Sequence, residues 1–146
     1  MKSEILIKRE AKNENDSKKF AADLKKYIIP GTTFLLYGDL GSGKTFLVRE
    51  IASILNVRSD VASPSFALVY QYKADININH IDLYRISDAN EIYNIGLDEL
   101  LNSESVNFIE WPQLIEKNIF WDHYRIYIYT DSDSETGRKF ELYKLC

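Results

Sequence analysis

The eight residues at positions 38–45 constrain the fold of this chain more than any other segment. They read Gly38-Asp39-Leu40-Gly41-Ser42-Gly43-Lys44-Thr45, which matches the phosphate-binding pattern G-x-x-x-x-G-K-[ST] at every fixed position. This pattern functions only when a strand precedes the glycine loop and a helix follows it. Any fold proposed for the chain must therefore provide a strand, a loop and a helix in this order.

The flanking residues predict both elements. Residues 33–37 form an apolar and aromatic run that is typical of a buried strand, and Pro30 and Gly31 indicate a turn before it. After the loop, apolar residues recur at helical spacing: Leu47, Val48, Ile51, Ile54 and Leu55. The local sequence therefore agrees with the motif.

Binding a polyphosphate requires main-chain N–H groups at close range, and glycine permits this approach because it has no Cβ. Lys44 can reach the β- and γ-phosphates, and the Thr45 hydroxyl can ligate Mg²⁺. The predicted nucleotide-binding residues of the loop are Asp39, Leu40, Gly41, Ser42, Gly43, Lys44 and Thr45.

Length and charge narrow the possible functions. The 146 residues predict one domain, spanning positions 1–146. A formal charge of −4 argues against a protein that binds nucleic acid by bulk charge, so any link to nucleic acid is expected to be indirect. The single cysteine, Cys146, and the lack of a leader or long apolar run indicate a cytoplasmic protein that does not enter a membrane.

Two acidic residues follow predicted strands, Asp82 after residues 78–81 and Glu110 after residues 106–109. Phosphoryl chemistry commonly uses an acid at the carboxyl end of a buried strand, which either holds the metal ion or orients water. The alternative for each is an acid that caps the following turn. His80 is interpreted as a satisfied strand residue rather than a metal ligand, since no second ligand lies at suitable spacing.

Ser63 and Ser65 flank Pro64 at a position where a sensor of the γ-phosphate could lie, although a simple turn is the alternative. The remaining pattern predicts the following elements: strands over 4–8, 66–72, 123–130 and 138–145, a helix over 17–29, a polar turn over 56–62, and short helices after Asp88 and Gly96. Strands 66–72 and 78–82 could pair as a hairpin, which would make the sheet mixed.

With these residues the sequence resembles the bacterial TsaE family, the small ATPases of tRNA threonylcarbamoyladenosine biosynthesis. The residues that carry the resemblance are the glycine loop, Ser63-Pro64-Ser65-Phe66, His80-Ile81-Asp82-Leu83-Tyr84-Arg85 and Ile109-Glu110-Trp111-Pro112. Their order and spacing agree with the family. The chain departs from it at Ser65, where the family usually has threonine.

The resemblance implies an α/β fold, a P-loop NTPase-like mixed β-sheet flanked by helices. It also implies a protein that binds ATP or ADP with Mg²⁺ and hydrolyses ATP weakly alone. The implied partners are TsaB and TsaD, with threonylcarbamoyl transfer taking place on a partner and tRNA contacted only indirectly.

The resemblance also implies roles for individual residues. Lys44 would bind phosphate, Thr45 and Glu110 would hold the ion, and Asp82, which could also contact the ion, would support hydrolysis. Trp111 would be a functional residue next to the site, although the alternative is that it is an aromatic residue of the core. The resemblance also implies that Glu14, Gly137 and Arg138 contact the nucleotide near its nucleobase.

Three other functions are compatible with a phosphate loop. A small-molecule kinase requires a lid with phosphate-clamping arginines, yet only Arg125 and Arg138 follow Glu110. A GTPase is disfavoured because the chain lacks Asn-Lys-x-Asp and Asp-x-x-Gly segments. A module that senses nucleotide without turnover remains an alternative.

Overall fold

A computed structural model describes residues 1–62, 69–94 and 96–146 of the chain. The strands in chain order are β1 (Ser3–Ala11), β2 (Thr33–Tyr37), β3 (Ser59–Ala62), β4 (Val69–Lys73), β5 (Ile78–Asp82), β6 (Val106–Glu110), β7 (His123–Thr130) and β8 (Arg138–Leu145). The helices are α1 (Glu14–Leu24), α2 (Lys44–Ile54), α3 (Ala89–Asn94) and α4 (Leu97–Leu101). Single 3₁₀ turns lie at Lys25–Tyr27, Pro112–Leu114 and Glu116–Asn118.

Within the described residues, the strands form one mixed sheet of eight strands in the order β1-β8-β7-β2-β6-β5-β4-β3. The four central strands β7, β2, β6 and β5 are parallel, and both edges are antiparallel. The carboxyl ends of β2, β6 and β5 therefore meet at one edge of the sheet. In open α/β sheets, ligands bind in the crevice outside these ends.

Both faces of the central strands are covered. One face packs against α1 and α2 in a cluster that includes Phe20, Leu24, Phe34, Leu36, Leu47, Ile51, Phe108 and Ile126. The other face packs against α3, α4 and the 3₁₀ turns in a cluster that includes Leu35, Ile81, Ile92, Leu97, Leu101, Ile109, Ile115 and Ile119. This burial explains why β2 and β6 are apolar along most of their length rather than alternating.

Buried polar side chains on β5, β6 and β2 form a hydrogen-bonded network. Asn79 on β5 donates to Asn107 Oδ1 on β6 at 2.9 Å, and Asn107 donates to Thr33 Oγ1 on β2 at 3.3 Å. Asn79 also donates to the Leu100 carbonyl at 3.2 Å. Since an unpaired buried amide is costly, this network helps to specify the register of the three strands.

The structure confirms the predicted mixed α/β architecture and the β4–β5 hairpin. Strand β2, strand β5 and strand β6 have the predicted bounds. Helix α1 begins at Glu14, earlier than predicted, because the Asn13 side chain accepts from the Asp16 N–H and caps it.

Two expectations were wrong in detail. The chain after Leu24 tightens into a 3₁₀ turn instead of continuing the α-helix to residue 29. Residues 59–62, predicted as part of a polar turn, form the edge strand β3, whose main chain pairs with β4. An edge strand needs one neighbour and tolerates polar residues, so its sequence carries a weak signal. Ser63 and Ser65 lie outside the described residues.

The described helices include none that is long and apolar enough to cross a membrane.

We expect Phe108→Ala to lower the free energy of unfolding by about 3–5 kcal/mol, because it would open a cavity in the central strand pair. Phe108 is fully buried and stacks on Phe34, with ring centroids 5.1 Å apart. Phe120→Ala is the matched control, since Phe120 is 79% exposed and its removal should change stability by less than about 0.5 kcal/mol. Urea unfolding followed by circular dichroism measures both, and equal effects would contradict the described packing.

Candidate functional site

The glycine loop connects the end of β2 to the start of α2 and depends on backbone conformations that favour glycine. Gly41 has a φ of 77° and Gly43 a φ of 105°, both in the left-handed region. Gly38 has a different reason to be glycine, because a Cβ there would lie 2.5 Å from Ser42 Oγ and 2.9 Å from the Ile128 carbonyl oxygen. The loop therefore passes close to β7 before it turns into α2.

Lys44 begins α2 and folds back over the loop. Its ammonium group donates hydrogen bonds to the Gly38 carbonyl and, at 3.0 Å, to the Asp39 carbonyl. The same ammonium lies 4.2 Å from the centroid of the Trp111 ring, within the range of a cation–π interaction. Lys44 is thus a buried cation held between the loop and an aromatic side chain.

Burial lowers the pKa of Lys44 below its ordinary value. The negative charges of Glu110, Asp82 and Asp39 act in the opposite direction and favour the charged form. The ammonium is therefore a desolvated charge whose stability depends on nearby anions.

Trp111 follows Glu110 at the end of β6 and has a φ of 56°, in the left-handed region. This conformation is rare for a bulky residue and marks a position that the surrounding structure enforces. The ring packs against Tyr84 with centroids 5.0 Å apart. Trp111 thus contacts both the loop lysine and the segment after β5, and it also packs against the core cluster on the α3–α4 face of the sheet.

Glu110 is 3% exposed and receives hydrogen bonds from two different elements. The Thr45 hydroxyl on α2 lies 3.0 Å from Glu110 Oε2 and 3.3 Å from Oε1. His80 Nε2 on β5 also hydrogen-bonds to Oε2. The carboxylate at the end of β6 is therefore fixed from both sides, next to the hydroxyl that the sequence predicts as a metal ligand.

Asp82 lies opposite Glu110 in the register of β5 and β6, so both side chains leave the sheet on the same face. Its Oδ1 accepts the Tyr84 N–H at 3.0 Å, which caps the turn after β5. Asp82 also lines the cavities above the loop together with Thr45 and Glu110. The turn-capping contact considered for this acid is therefore present, and its role in metal binding or hydrolysis stays a prediction.

Two spaces that share lining residues surround these groups. A cavity of about 280 Å³ lies over the loop and is bounded on its far side by Asp82, Tyr84, Glu110 and Trp111. A second, of about 560 Å³, shares Thr45, Asp82 and Glu110 with it and extends between α2 and strands β4 and β5. Thr45 and the two strand-end acids thus border both spaces.

The residues predicted to lie near the nucleobase border the loop on a different side from Asp82 and Glu110. Glu14 and Arg138 line a pocket of about 140 Å³ with Ser42 and Gly43, and Gly137 lines the neighbouring pocket with Arg138. Arg138 also binds the loop directly, since its Nε donates to the Ser42 carbonyl at 2.7 Å. The C-terminal strand β8 thereby helps to hold the loop in place.

The donor set at Thr45, Glu110 and Asp82 consists of oxygen atoms, which is what a hard cation such as Mg²⁺ prefers. The described residues contain no group of three or more histidine, cysteine or acidic side chains placed to hold a metal alone. Mg²⁺ usually takes one or two carboxylates and completes its shell with water and substrate phosphates. The residues present therefore fit a cation shared with a nucleotide and not a metal cage made by protein alone.

The structure brings together most of the predicted residues, at the carboxyl edge of the central strands. Sequence reasoning missed the contact between His80 and Glu110 and the contact between Arg138 and the loop. Alternation along β5 places His80 on the same face as Asp82, so a signal for the first contact existed. The second contact joins residues about 96 positions apart and had no local signal.

The family comparison matches the model described as "Threonylcarbamoyl adenosine biosynthesis protein TsaE" to residues 11–140, which is most of the chain. The chain belongs to the TsaE family.

Several curated proteins named tRNA threonylcarbamoyladenosine biosynthesis protein TsaE are similar to it. The Rickettsia bellii protein is 40% identical over 118 residues, covering 80% of this chain and 78% of that protein. The Bacillus subtilis protein is 32% identical over 138 residues, covering 89% and 86%. The Rickettsia felis protein is 41% identical over 106 residues, which is 71% of this chain but only 61% of that longer protein.

The fold is also similar to that of a solved structure, the crystal structure of YdiB from Bacillus subtilis. The TM-score is 0.78 at 25% sequence identity, and the match covers 100% of this chain and 89% of YdiB. A similarity of this extent supports the same arrangement of strands and helices around the loop. The P-loop-like mixed sheet expected from the TsaE resemblance is therefore confirmed.

We expect Gly38→Ala to destabilise the protein by about 1–3 kcal/mol, because the added methyl group would overlap both Ser42 Oγ and the Ile128 carbonyl. Ser42→Ala should be close to neutral, since the buried Ser42 hydroxyl has no hydrogen-bond partner among the described residues. The double variant should recover only part of the loss, because the main-chain carbonyl of Ile128 stays in place. Thermal unfolding of the three variants measures this, and full recovery would contradict the close approach to β7.

Proposed function

We propose that this TsaE family member is a Mg²⁺-dependent ATP-binding protein with weak ATPase activity. It acts in threonylcarbamoyladenosine modification of tRNA together with TsaB and TsaD. The observation that carries the proposal is the hydrogen bond between the Thr45 hydroxyl and the Glu110 carboxylate. This contact joins the glycine loop to a strand-end acid, the pairing that P-loop phosphoryl chemistry uses.

The glycine loop binds the phosphates. The left-handed Gly41 and Gly43 let main-chain N–H groups approach a polyanion, and the N-terminus of α2 adds partial positive charge. The buried ammonium of Lys44 contributes a full charge, and a phosphate near it would compensate the loss of hydration that lowers its pKa. These three contributions favour a di- or triphosphate over an uncharged ligand.

Thr45 and Glu110 would hold Mg²⁺, with Asp82 beside them either as a further ligand or through water. Bound there, the ion would supply positive charge that offsets the negative charge developing during phosphoryl transfer. Glu110 and Asp82 also present acceptor oxygens to the space above the loop, where they orient a water molecule toward the terminal phosphate. Lys44, fixed beside Trp111, stabilises negative charge on the phosphates.

The nucleoside end of the ligand lies on the side of Glu14, Gly137 and Arg138. A pocket next to Ser42 and Gly43 opens there, directly beside the loop. Arg138 binds the Ser42 carbonyl and so keeps the loop and this pocket in a fixed relation. Recognition of the adenine base of ATP or ADP is assigned to this region.

The proposed partner proteins and the link to tRNA are inferred from membership of the TsaE family. The relatives named above carry tRNA threonylcarbamoyladenosine biosynthesis in their names, and this chain shares their motifs. Its net charge of −4 is consistent with tRNA being held mainly by partners. ATP hydrolysis by this subunit then resets or drives the complex of TsaB and TsaD between rounds.

We expect Lys44→Ala to weaken ADP and ATP binding at least about a hundredfold, which corresponds to about 2.8 kcal/mol, because it removes the one positively charged side chain of the glycine loop, residues 38–45. Isothermal titration calorimetry in Mg²⁺ buffer measures the affinity. The matched control is Lys117→Ala, which removes an exposed lysine in a 3₁₀ turn and should leave the affinity unchanged. Unchanged affinity in Lys44→Ala would refute the phosphate site.

We expect Glu110→Ala to bind nucleotide with an affinity within about threefold of wild type and to lose about 10²–10³-fold in kcat, because positioned electrostatic groups of this kind contribute that much. Hydrolysis should be measured with and without TsaB and TsaD, together with tRNA modification. Stimulation only in the complete mixture supports the proposal. A phosphorylated small-molecule product would indicate a kinase instead, and no hydrolysis in any mixture would indicate a nucleotide-sensing module.

A further inference from the structure

We propose that His80 is a positioning residue for Glu110: its Nε2 holds one carboxylate oxygen so that the other is directed at the ion and the attacking water. This inference rests on the proposed ATP hydrolysis and assigns a function to a buried histidine that the phosphate loop does not include. His80 itself touches neither phosphate nor ion and acts only through Glu110.

The first argument is the geometry of the contact. His80 and Glu110 are both almost fully buried, at 4% and 3% exposure, and Nε2 of the ring hydrogen-bonds to Glu110 Oε2. A carboxylate can only accept hydrogen bonds, so the histidine ring donates through Nε2. The ring is held by the central strand β5 and packs near Tyr70, with centroids 6.0 Å apart.

The second argument is how the hydrogen bonds divide between the two carboxylate oxygens. Oε2 of Glu110 is used twice, by His80 Nε2 and by the Thr45 hydroxyl at 3.0 Å. Among the residues that the structure describes, Oε1 has only the longer Thr45 contact of 3.3 Å. Because each oxygen has two lone pairs, Oε1 keeps the capacity to accept from water or to bind a cation. His80 therefore determines which oxygen remains available.

The third argument is rigidity. A glutamate side chain has three rotatable bonds, and a catalytic carboxylate must be held to within about 0.5 Å of its working position. Thr45 alone ties Glu110 to α2, whereas His80 ties it independently to the neighbouring strand β5. With supports from two separate elements, the carboxylate cannot rotate without breaking a buried hydrogen bond. Partners that orient a functional group in this way commonly contribute 10–100-fold.

The test compares two substitutions of His80 in the full chain. His80→Phe keeps a ring but removes the donor, and His80→Gln keeps an N–H donor near the position of Nε2. We expect His80→Phe to lower kcat of ATP hydrolysis by about 10–100-fold, in the mixture with TsaB and TsaD, while the Kd for ADP changes less than about twofold. His80→Gln should regain most of the lost rate.

A double-variant cycle separates positioning from a general structural effect. In the Glu110→Ala background, His80→Phe should change kcat by less than about twofold, because the group that it orients is gone. A loss in the double variant equal to the product of the two single losses would overturn the proposal. His123→Phe is the matched control, since His123 is the other histidine of the chain, is 1% exposed and contacts the Trp121 carbonyl outside the site.

A spectroscopic readout does not depend on activity or on the folding of the His80 variants. The chain has two histidines, so ¹⁵N NMR of the imidazole rings gives two sets of signals that a His123→Gln variant assigns. We expect Nε2 of His80 to carry a proton and its shift to move in Glu110→Ala. An unprotonated Nε2, or signals that are the same in both proteins, would overturn the proposal.

The outcomes also separate this inference from the proposed function. If wild-type protein hydrolyses ATP in the mixture and His80→Phe does so equally fast, the positioning role is wrong and the proposed function stands. If wild-type protein neither binds nor hydrolyses ATP, the proposed function fails and the positioning role fails with it. The imidazole spectra would then still report whether the His80–Glu110 contact exists.

Discussion

The hydrogen bond between Thr45 and Glu110 is the interaction on which the arrangement of this site depends. It connects the first turn of α2 to the carboxyl end of β6, two segments that are 65 residues apart in the chain. Neither partner is exposed enough for this to be an ordinary surface contact, since Glu110 is 3% exposed. A buried carboxylate needs donors, and the loop helix and the neighbouring strand provide them.

The sheet makes this contact possible. β2 and β6 are adjacent and parallel, so the loop that follows β2 and the acid that ends β6 emerge at the same edge. β5 continues the parallel set and adds His80 and Asp82 on the face that carries Glu110. The antiparallel strand β8 then returns beside β7 and brings Arg138 to the opposite side of the loop. The loop is therefore supported from both sides by the same sheet.

The match to the TsaE family and the geometry of the candidate site concern the same residues. The family comparison matches residues 11–140, which include the loop, both acids and Trp111. The structure adds that Trp111 adopts a left-handed conformation and lies over the Lys44 ammonium. An aromatic residue held in a strained conformation against a desolvated cation is expected at a functional site, because backbone strain persists only where the surrounding contacts enforce it.

The amino-acid sequence by itself determined the glycine loop, the strand before it, the helix after it and the identity of Asp82 and Glu110 as strand-end acids. These features were predictable because they rest on local chemistry: glycine at left-handed positions, apolar periodicity and an acid after an apolar run. A helix over residues 17–29 was also predicted, although the extent of α1 was not, because helix ends depend on packing as well as on the capping residue.

Only the tertiary structure decided the pairing of Glu110 with His80, the contact of Arg138 with Ser42, the stacking of Lys44 on Trp111 and the pairing of β3 with β4. The three side-chain contacts each join segments far apart in the chain that approach only when the strand order is fixed, whereas β3 and β4 are consecutive strands and the sequence of β3 carried only the weak signal of an edge strand. Strand order follows from how apolar faces pack together, and many pairings share the same local pattern. For this reason the sequence indicated candidate residues for the site, whereas the fold decided which of their atoms meet.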